Sequence, residues 1–270
     1  MQIAALVPRG REAGLLRALS REHEVCLLST CRELLEVIAA GQCHIALVDP
    51  LGLREDSFRG LVDALTARDT GLIVWAEPNR HVVRCILLAQ SVIPVEVLFQ
   101  ACGEEPAILR ALLRSGSSVS AAALLSNRIA AKVARLPHEL QCAIVALFGG
   151  APVPTSVESF AQVTRWHIRT VQRQLSDCGI GAPSTLLQVA RTVRAWEPLA
   201  ARTIALREIA AVACLSSAQA LSDHFASCVG VPPRRASRNL SLEQFVTLLV
   251  DRLEGAKPKA GSFTHASREA

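Results

Sequence analysis

Five short apolar runs separated by helical patterns set the fold of the first 115 residues. They are "QIAALV" (2–7), "EVCLLS" (24–29), "HIALVD" (44–49), "GLIVWA" (71–76) and "PVEVLF" (94–99). Each is too short for a helix, and most are apolar nearly throughout, as in parallel strands covered on both faces. Between and after them lie "GREAGLLRALSR", "CRELLEVIAAG", "SFRGLVDALTAR", "RHVVRCILLAQ" and "EEPAILRALLRS", all with helical spacing. In the second of these, Leu34, Leu35 and Ile38 share one face, with Arg32, Glu33 and Glu36 opposite. Five strand–helix units in this length predict an α/β doubly wound, five-stranded parallel sheet. Ligands of such sheets bind at the carboxyl ends of the strands. Those ends are Pro8, Asp49, Ala76 and Gln100.

The remaining 155 residues call for a second domain. No 18-residue apolar run offers a membrane span, and "MQIAALVPRGREAG" lacks the pattern of a secretory signal. The nine cysteines include no CxxC pair, which reads as reduced, buried thiols in a cytoplasmic protein. Charge is unevenly spread. Residues 1–115 hold 12 arginines against 14 acids, whereas residues 138–240 hold 10 arginines against 6. A basic second half joined to an acidic first half invites an anionic partner, nucleic acid first.

The first half resembles a response-regulator receiver domain, the CheY/flavodoxin-like fold, on its layout and on Asp49 at the end of the third strand. The resemblance implies a phospho-acceptor at Asp49, an acidic pair after strand 1 to hold Mg²⁺, a Ser/Thr after strand 4 and a lysine after strand 5. This chain has Pro8 and Arg9, then Ala76, then "FQACG" at those places. A lone carboxylate is a poor cage for Mg²⁺, on which phosphotransfer leans. The expectation is a metal-independent pseudo-receiver, with Asp49 accepting local N–H groups or pairing with Arg9. A phosphorylated Asp49 is the alternative.

"SGSSVS" (115–120) breaks the composition, and "AAALLSNRIAAKVARL" (121–136) follows as a helix with Leu124, Leu125, Ile129 and Val133 on one face. That stripe fits either domain or a second copy in a homodimer. The spacing then predicts two helix-turn-helix units. In "TSVESFAQVTRWHIRTVQRQLSDCG" (155–179), Thr155 and Glu158 form a capping box, and Val157, Phe160 and Ala161 face inward. The second helix of this unit turns Ile168, Val171 and Leu175 inward and Arg169, Thr170, Gln172 and Arg173 outward. Arg pairs with guanine and Gln with adenine in the major groove. In "ALREIAAVACLSSAQALSDHF" (205–225), Ile209, Ala210, Leu221 and Phe225 face inward; Ser216 and Gln219 have capping-box spacing. Ser217, Ala218, Gln219 and Ser222 face outward. A helix over about 184–197, up to Pro198, links the units and spans about 20 Å.

Residues 138–238 resemble the AraC/XylS-type DNA-binding domain. The resemblance rests on "RTVQRQL" with Gly179, on Arg191, Ala195 and Leu199, on "LREIA" and "DHF", and on "GVPP" (230–233). It implies a transcription regulator contacting two adjacent groove segments of double-stranded DNA. Carried over by position, Arg169, Gln172 and Arg173 face bases in the first unit, and Ser217, Ala218 and Gln219 in the second. Several positions depart from the family: Cys214-Leu215 replaces Gly–Phe, Asp223 an arginine, Ala236-Ser237 an aromatic–Arg pair, and His167 the capping serine. Arg165, Arg234 and Arg235 are the candidates for the phosphate backbone, with Arg238 nearby. The first unit is expected to read sequence and the second to position or anchor.

Other clusters carry less. His81 with Cys85, and His224 with Cys228, offer two metal ligands each where a structural zinc takes four. Asp49, Glu77 and Glu96 have no nucleophile–base pair or phosphate loop to make them catalytic. Trp166 reads as packing under the first turn. The expectation is a regulator with no enzymatic chemistry, metal or cofactor. Its domains are a receiver-like one (1–115), a linker helix (116–137), a DNA-binding domain (138–240), and a C-terminal helix with a disordered tail (241–270). A protein partner at the receiver-like domain is implied, and a protein-interaction adaptor with a degenerate helix-turn-helix is the other alternative.

Overall fold

The computed structural model describes residues 1–99, 109, 113, 119–202 and 204–255. They form two compact units, Met1–Pro152 and Val153–Ala270.

The first unit is built on five parallel strands: β1 (Gln2–Leu6), β2 (Glu24–Leu27), β3 (Ile45–Val48), β4 (Gly71–Ala76) and β5 (Val95–Phe99). Their order is β2-β1-β3-β4-β5. The chain starts inside the sheet, steps to one edge, then reverses to the other, so the switch point lies between β1 and β3. The connecting helices are α1 (Arg9–Leu19), α2 (Cys31–Ala39), α3 (Glu55–Ala67) and α4 (Arg80–Gln90). Right-handed crossovers set α1 on one face and α2, α3 and α4 side by side on the other. Alternation along the strands sends Ile3, Ala5, Ile45, Leu47, Ile73 and Trp75 toward Leu15 and Leu19 of α1, in a core completed by Leu109 and Leu113. The inner strands are buried on both faces as expected, but edge strand β2 alternates exposed and half-buried residues. Gln100 and most of the helix expected over 104–115 lie outside the described residues.

Helices α5 (Ala121–Val133) and α6 (His138–Phe148) belong to this unit, whose boundary falls at Pro152 rather than Pro137. Both pack on α4 and β5. The stripe Leu124, Leu125, Ile129 and Val133 is buried there, so it is not free for a second copy. Polar contacts fix the same joint. Glu96 of β5 accepts the Ser120 N–H at 2.7 Å and its hydroxyl at 2.9 Å, and Asn127 donates to the Gln90 carbonyl at 2.6 Å. Burial pushes the Glu96 carboxyl above its ordinary range. At Gly149 a Cβ would stand 2.8 Å from the Val145 carbonyl and 3.0 Å from Val97 Cγ1; glycine alone lets the end of α6 come this close to β5.

The second unit is all helical among its described residues: α7 (Val157–Thr164), α8 (Ile168–Asp177), α9 (Pro183–Arg194), α10 (Trp196–Ala201), α11 (Leu206–Val212), α12 (Ala218–Val229), α13 (Pro233–Asn239) and α14 (Leu242–Leu253). Helix α9 touches α7, α8, α10, α12 and α14 and is the centre of the unit. It is shorter than the sequence suggests, because Pro198 has no N–H for the Arg194 carbonyl and its ring crowds that carbonyl. The chain therefore breaks at Ala195 and restarts as α10. Trp196 stacks on Phe245 of α14 at 4.0 Å, and Phe225 of α12 lies 6.1 Å from the same ring. The C-terminal helix thus closes the core, and residues 256–270 lie outside the described ones. Among the described residues no helix is long and apolar enough to cross a membrane.

Candidate nucleic-acid interface

The second unit contains two helix pairs with the same backbone logic. In the first, Ser156 caps α7 in a reciprocal box with Ser159, one residue from the expected Thr155 and Glu158. Phe160 and Ala161 are buried, Val157 half-buried. Arg165 takes the left-handed conformation at φ 57° and ends the helix. The Trp166 N–H then reaches back to the Ala161 carbonyl at 3.1 Å, and the Trp166 side chain is half-buried at the turn. His167 caps α8, its Nδ1 accepting the Arg169 N–H at 3.3 Å. A ring nitrogen here does the work that a serine hydroxyl does at most caps.

Helix α8 is strongly two-sided. Val171 and Leu175 are fully buried and Ile168 half-buried, while Arg169, Gln172 and Arg173 are exposed and Thr170 is half-buried. Arg169 and Arg173 are four residues apart, hence neighbours on one face with Gln172 beside them. Among the described residues, Arg165, Arg169 and Arg173 make no side-chain hydrogen bond or ion pair. Their donors are free for an outside acceptor.

The second pair repeats the turn. Ile209 and Ala210 are buried, Cys214 is left-handed at φ 56°, and the Leu215 N–H reaches the Ala210 carbonyl at 2.8 Å. Ala210 and Leu215 thus stand where Ala161 and Trp166 stand in the first pair. The cap is Ser217, accepting the Ala220 N–H at 3.1 Å; Ser216, the expected cap, lies just outside it. Ser217 is the third residue after the left-handed one and His167 only the second, so this turn is one residue longer.

The outer face of α12 differs in chemistry. Leu221 and Phe225 are buried as expected; Ser217 and Gln219 are exposed, Ala218 and Ser222 half-buried. The Gln219 amide donates to Asp223 at 2.8 Å, and the Ser222 hydroxyl to the Ala218 carbonyl at 3.1 Å. With Ser217 serving as the cap, three of the four outward candidates have internally bonded side chains, and α12 contains no arginine or lysine. Cations come from α13, where Arg234, Arg235 and Arg238 are exposed. Arg191 of α9 is spent on the fold, donating to the Pro154 and Thr155 carbonyls at 2.6 and 3.1 Å. Sequence reasoning did not find the exposed Val163 and Val212, each two residues before the left-handed residue of its pair. Helical phase, counted back from Arg165 and Cys214, would have placed them.

At the switch point of the first unit, Asp49 is 5% exposed. One carboxylate oxygen accepts the Leu51 N–H at 2.9 Å; the other accepts Arg11 Nη1 at 2.5 Å. The partner is Arg11 and not the expected Arg9, which is exposed. The reason is helical phase: α1 begins at Arg9, and two further residues turn the side chain about 200° toward the strand ends. Arg11 also donates to the Trp75 carbonyl at 3.3 Å and lies 3.7 Å from Glu77.

The cysteines are mixed. Cys43, Cys85, Cys178 and Cys228 are buried, but Cys26 and Cys214 are exposed, and the eight described ones are all free thiols. Burial pushes the Cys85 thiol up to about 11. Among the described residues no group of three or more His, Cys, Asp or Glu could hold a metal ion. No family model, curated protein or solved structure matches the chain.

Proposed function

We propose that the chain is an AraC/XylS-type, sequence-reading DNA-binding regulator whose receiver-like first unit works without a metal. The carrying observation is the outer face of α8, where Arg169, Gln172 and Arg173 stand on a helix anchored by Val171 and Leu175 and lack internal partners. In this reading α8 lies in a major groove of double-stranded DNA, with Arg165 on the phosphate backbone. The second pair approaches an adjacent segment through Arg234 and Arg235. The regulator is a cytoplasmic homodimer that takes a protein partner at its first unit and has no enzymatic activity. The strand order β2-β1-β3-β4-β5 supports the receiver-like part of the reading.

Titrating salt against duplex binding tests it. Affinity falls steeply with salt as phosphate counterions are released. Binding no tighter than that of an acidic control protein sinks the proposal. Asp49 is structural in this account, since Arg11 fills the place of a metal. Incubation with Mg²⁺ and a small phosphodonor leaves the mass unchanged; an Asp49-dependent gain of one phosphoryl group overturns this part. One observation favours the adaptor reading for the second pair alone, namely the Gln219–Asp223 bond on a helix without cations.

A further inference from the structure

A groove of about 520 Å³ lies in the first unit, walled by α3 and α4 on one side and α5 and α6 on the other. Its size falls within that of small-molecule sites, roughly 300–1,000 Å³. Its two components differ in chemistry. The apolar floor is half-buried Leu88 with exposed Ala131 and Ala134; Leu87, Ala130 and Leu136 also line the groove but are only 6%, 1% and 4% exposed. The lip is cationic, with Arg59 from α3, and Arg80 and Arg84 one turn apart on α4. Glu55 neutralises only Arg84, at 3.3 Å. Arg59 and Arg80 are exposed and form no side-chain hydrogen bond or ion pair among the described residues. Half-buried His138 lines the same groove.

This local sign runs against the surrounding sequence, because residues 1–115 hold 12 arginines against 14 acids. Unpaired arginines beside an apolar floor suit a ligand that has both a charge and a greasy part. An inorganic anion would use the lip and leave the floor wet. A neutral hydrocarbon would leave two guanidinium groups unmatched, and an amine would be repelled. A carboxylate can take an arginine fork in bidentate geometry while its body covers the floor.

We infer that this groove binds a small organic carboxylate with an apolar body, held at its carboxylate by Arg59 and Arg80 and at its body by Leu88, Ala131 and Ala134. The inference concerns the first unit and does not depend on DNA binding.

Isothermal titration of the full chain with sodium hexanoate and sodium benzoate tests it, with hexanamide, hexylamine and inorganic phosphate as comparisons. At least one carboxylate binds saturably, and the comparison compounds bind more weakly. The double variant Arg59→Gln/Arg80→Gln weakens carboxylate binding by roughly tenfold or more. Ala131→Glu, at an exposed lining position, weakens it as well while keeping the wild-type melting curve. The inference is overturned if neither carboxylate saturates below about 10 mM. It is also overturned if the double variant binds as the wild type does, or if hexanamide or phosphate binds as tightly. The titration contains no DNA, so its failure leaves the DNA reading standing and the reverse also holds.

Discussion

The two helix pairs of the second unit share a backbone and differ in surface. Both end their first helix at a left-handed non-glycine residue, Arg165 or Cys214, and both send the next N–H back to an alanine carbonyl. Yet α8 presents two unpaired arginines and a glutamine, whereas α12 presents a glutamine tied to an aspartate. Buried alanine and apolar residues fix how a pair closes. The outer face plays no part in that closure, so its chemistry is free to change while the turn is kept. A matching fold in the two pairs therefore does not imply a matching role.

The largest effect should come from α8. Arg173→Ala loses about 1–3 kcal/mol of base discrimination by fluorescence anisotropy on matched and mismatched duplexes. Gln219→Ala in the second pair changes it by less than about 0.5 kcal/mol, as expected of a surface residue outside a contact. Equal losses would remove the distinction between the pairs. Next comes Asp223→Arg, which frees the Gln219 amide and adds a cation. The slope of log affinity against log salt becomes steeper by about 0.9 for one new phosphate contact. An unchanged slope would mean that α12 does not approach the backbone.

A smaller effect separates turn strain from contact. Cys214→Gly relieves a left-handed residue and raises stability by about 1 kcal/mol in urea unfolding. Arg165→Gly gains similarly but weakens duplex binding, whereas Cys214→Gly leaves binding unchanged. The smallest effect is a pH term confined to the second pair. Burial first, and the Arg191 charge second, lower the His224 pKa from its ordinary 6.5. The unfolded chain therefore binds the proton more readily, so this residue's contribution is present above about pH 6.5 and is lost as pH falls toward the lower folded value. His224→Gln flattens the stability profile in that window; an unaltered profile would show that His224 does not titrate on unfolding.

Much of the first unit was legible because its strands are nearly pure apolar runs bounded by helical patterns. Every expected strand from 2–7 to 94–99 has its counterpart within two residues at either end. The misreadings had both distant and local causes. Local spacing showed that Leu124, Leu125, Ile129 and Val133 form a stripe, but not that β5 and α4 cover it. The same spacing marked Gln219 as outward without revealing that Asp223 takes its amide. Arg9 was expected because it lies at the strand end, when the phase of α1 was what mattered. Thr155 and Ser216 were each one residue from the true cap, the usual scale of boundary error in helices.

The Arg11–Asp49 pair has a consequence for how the first unit responds to its surroundings. A metal ion that neutralises a carboxylate comes from a reservoir, and chelators or starvation can remove it. A guanidinium on the same chain has no reservoir, because Arg11 is held in place by the first turn of α1. The Asp49 carboxylate therefore takes its counter-charge from the chain itself.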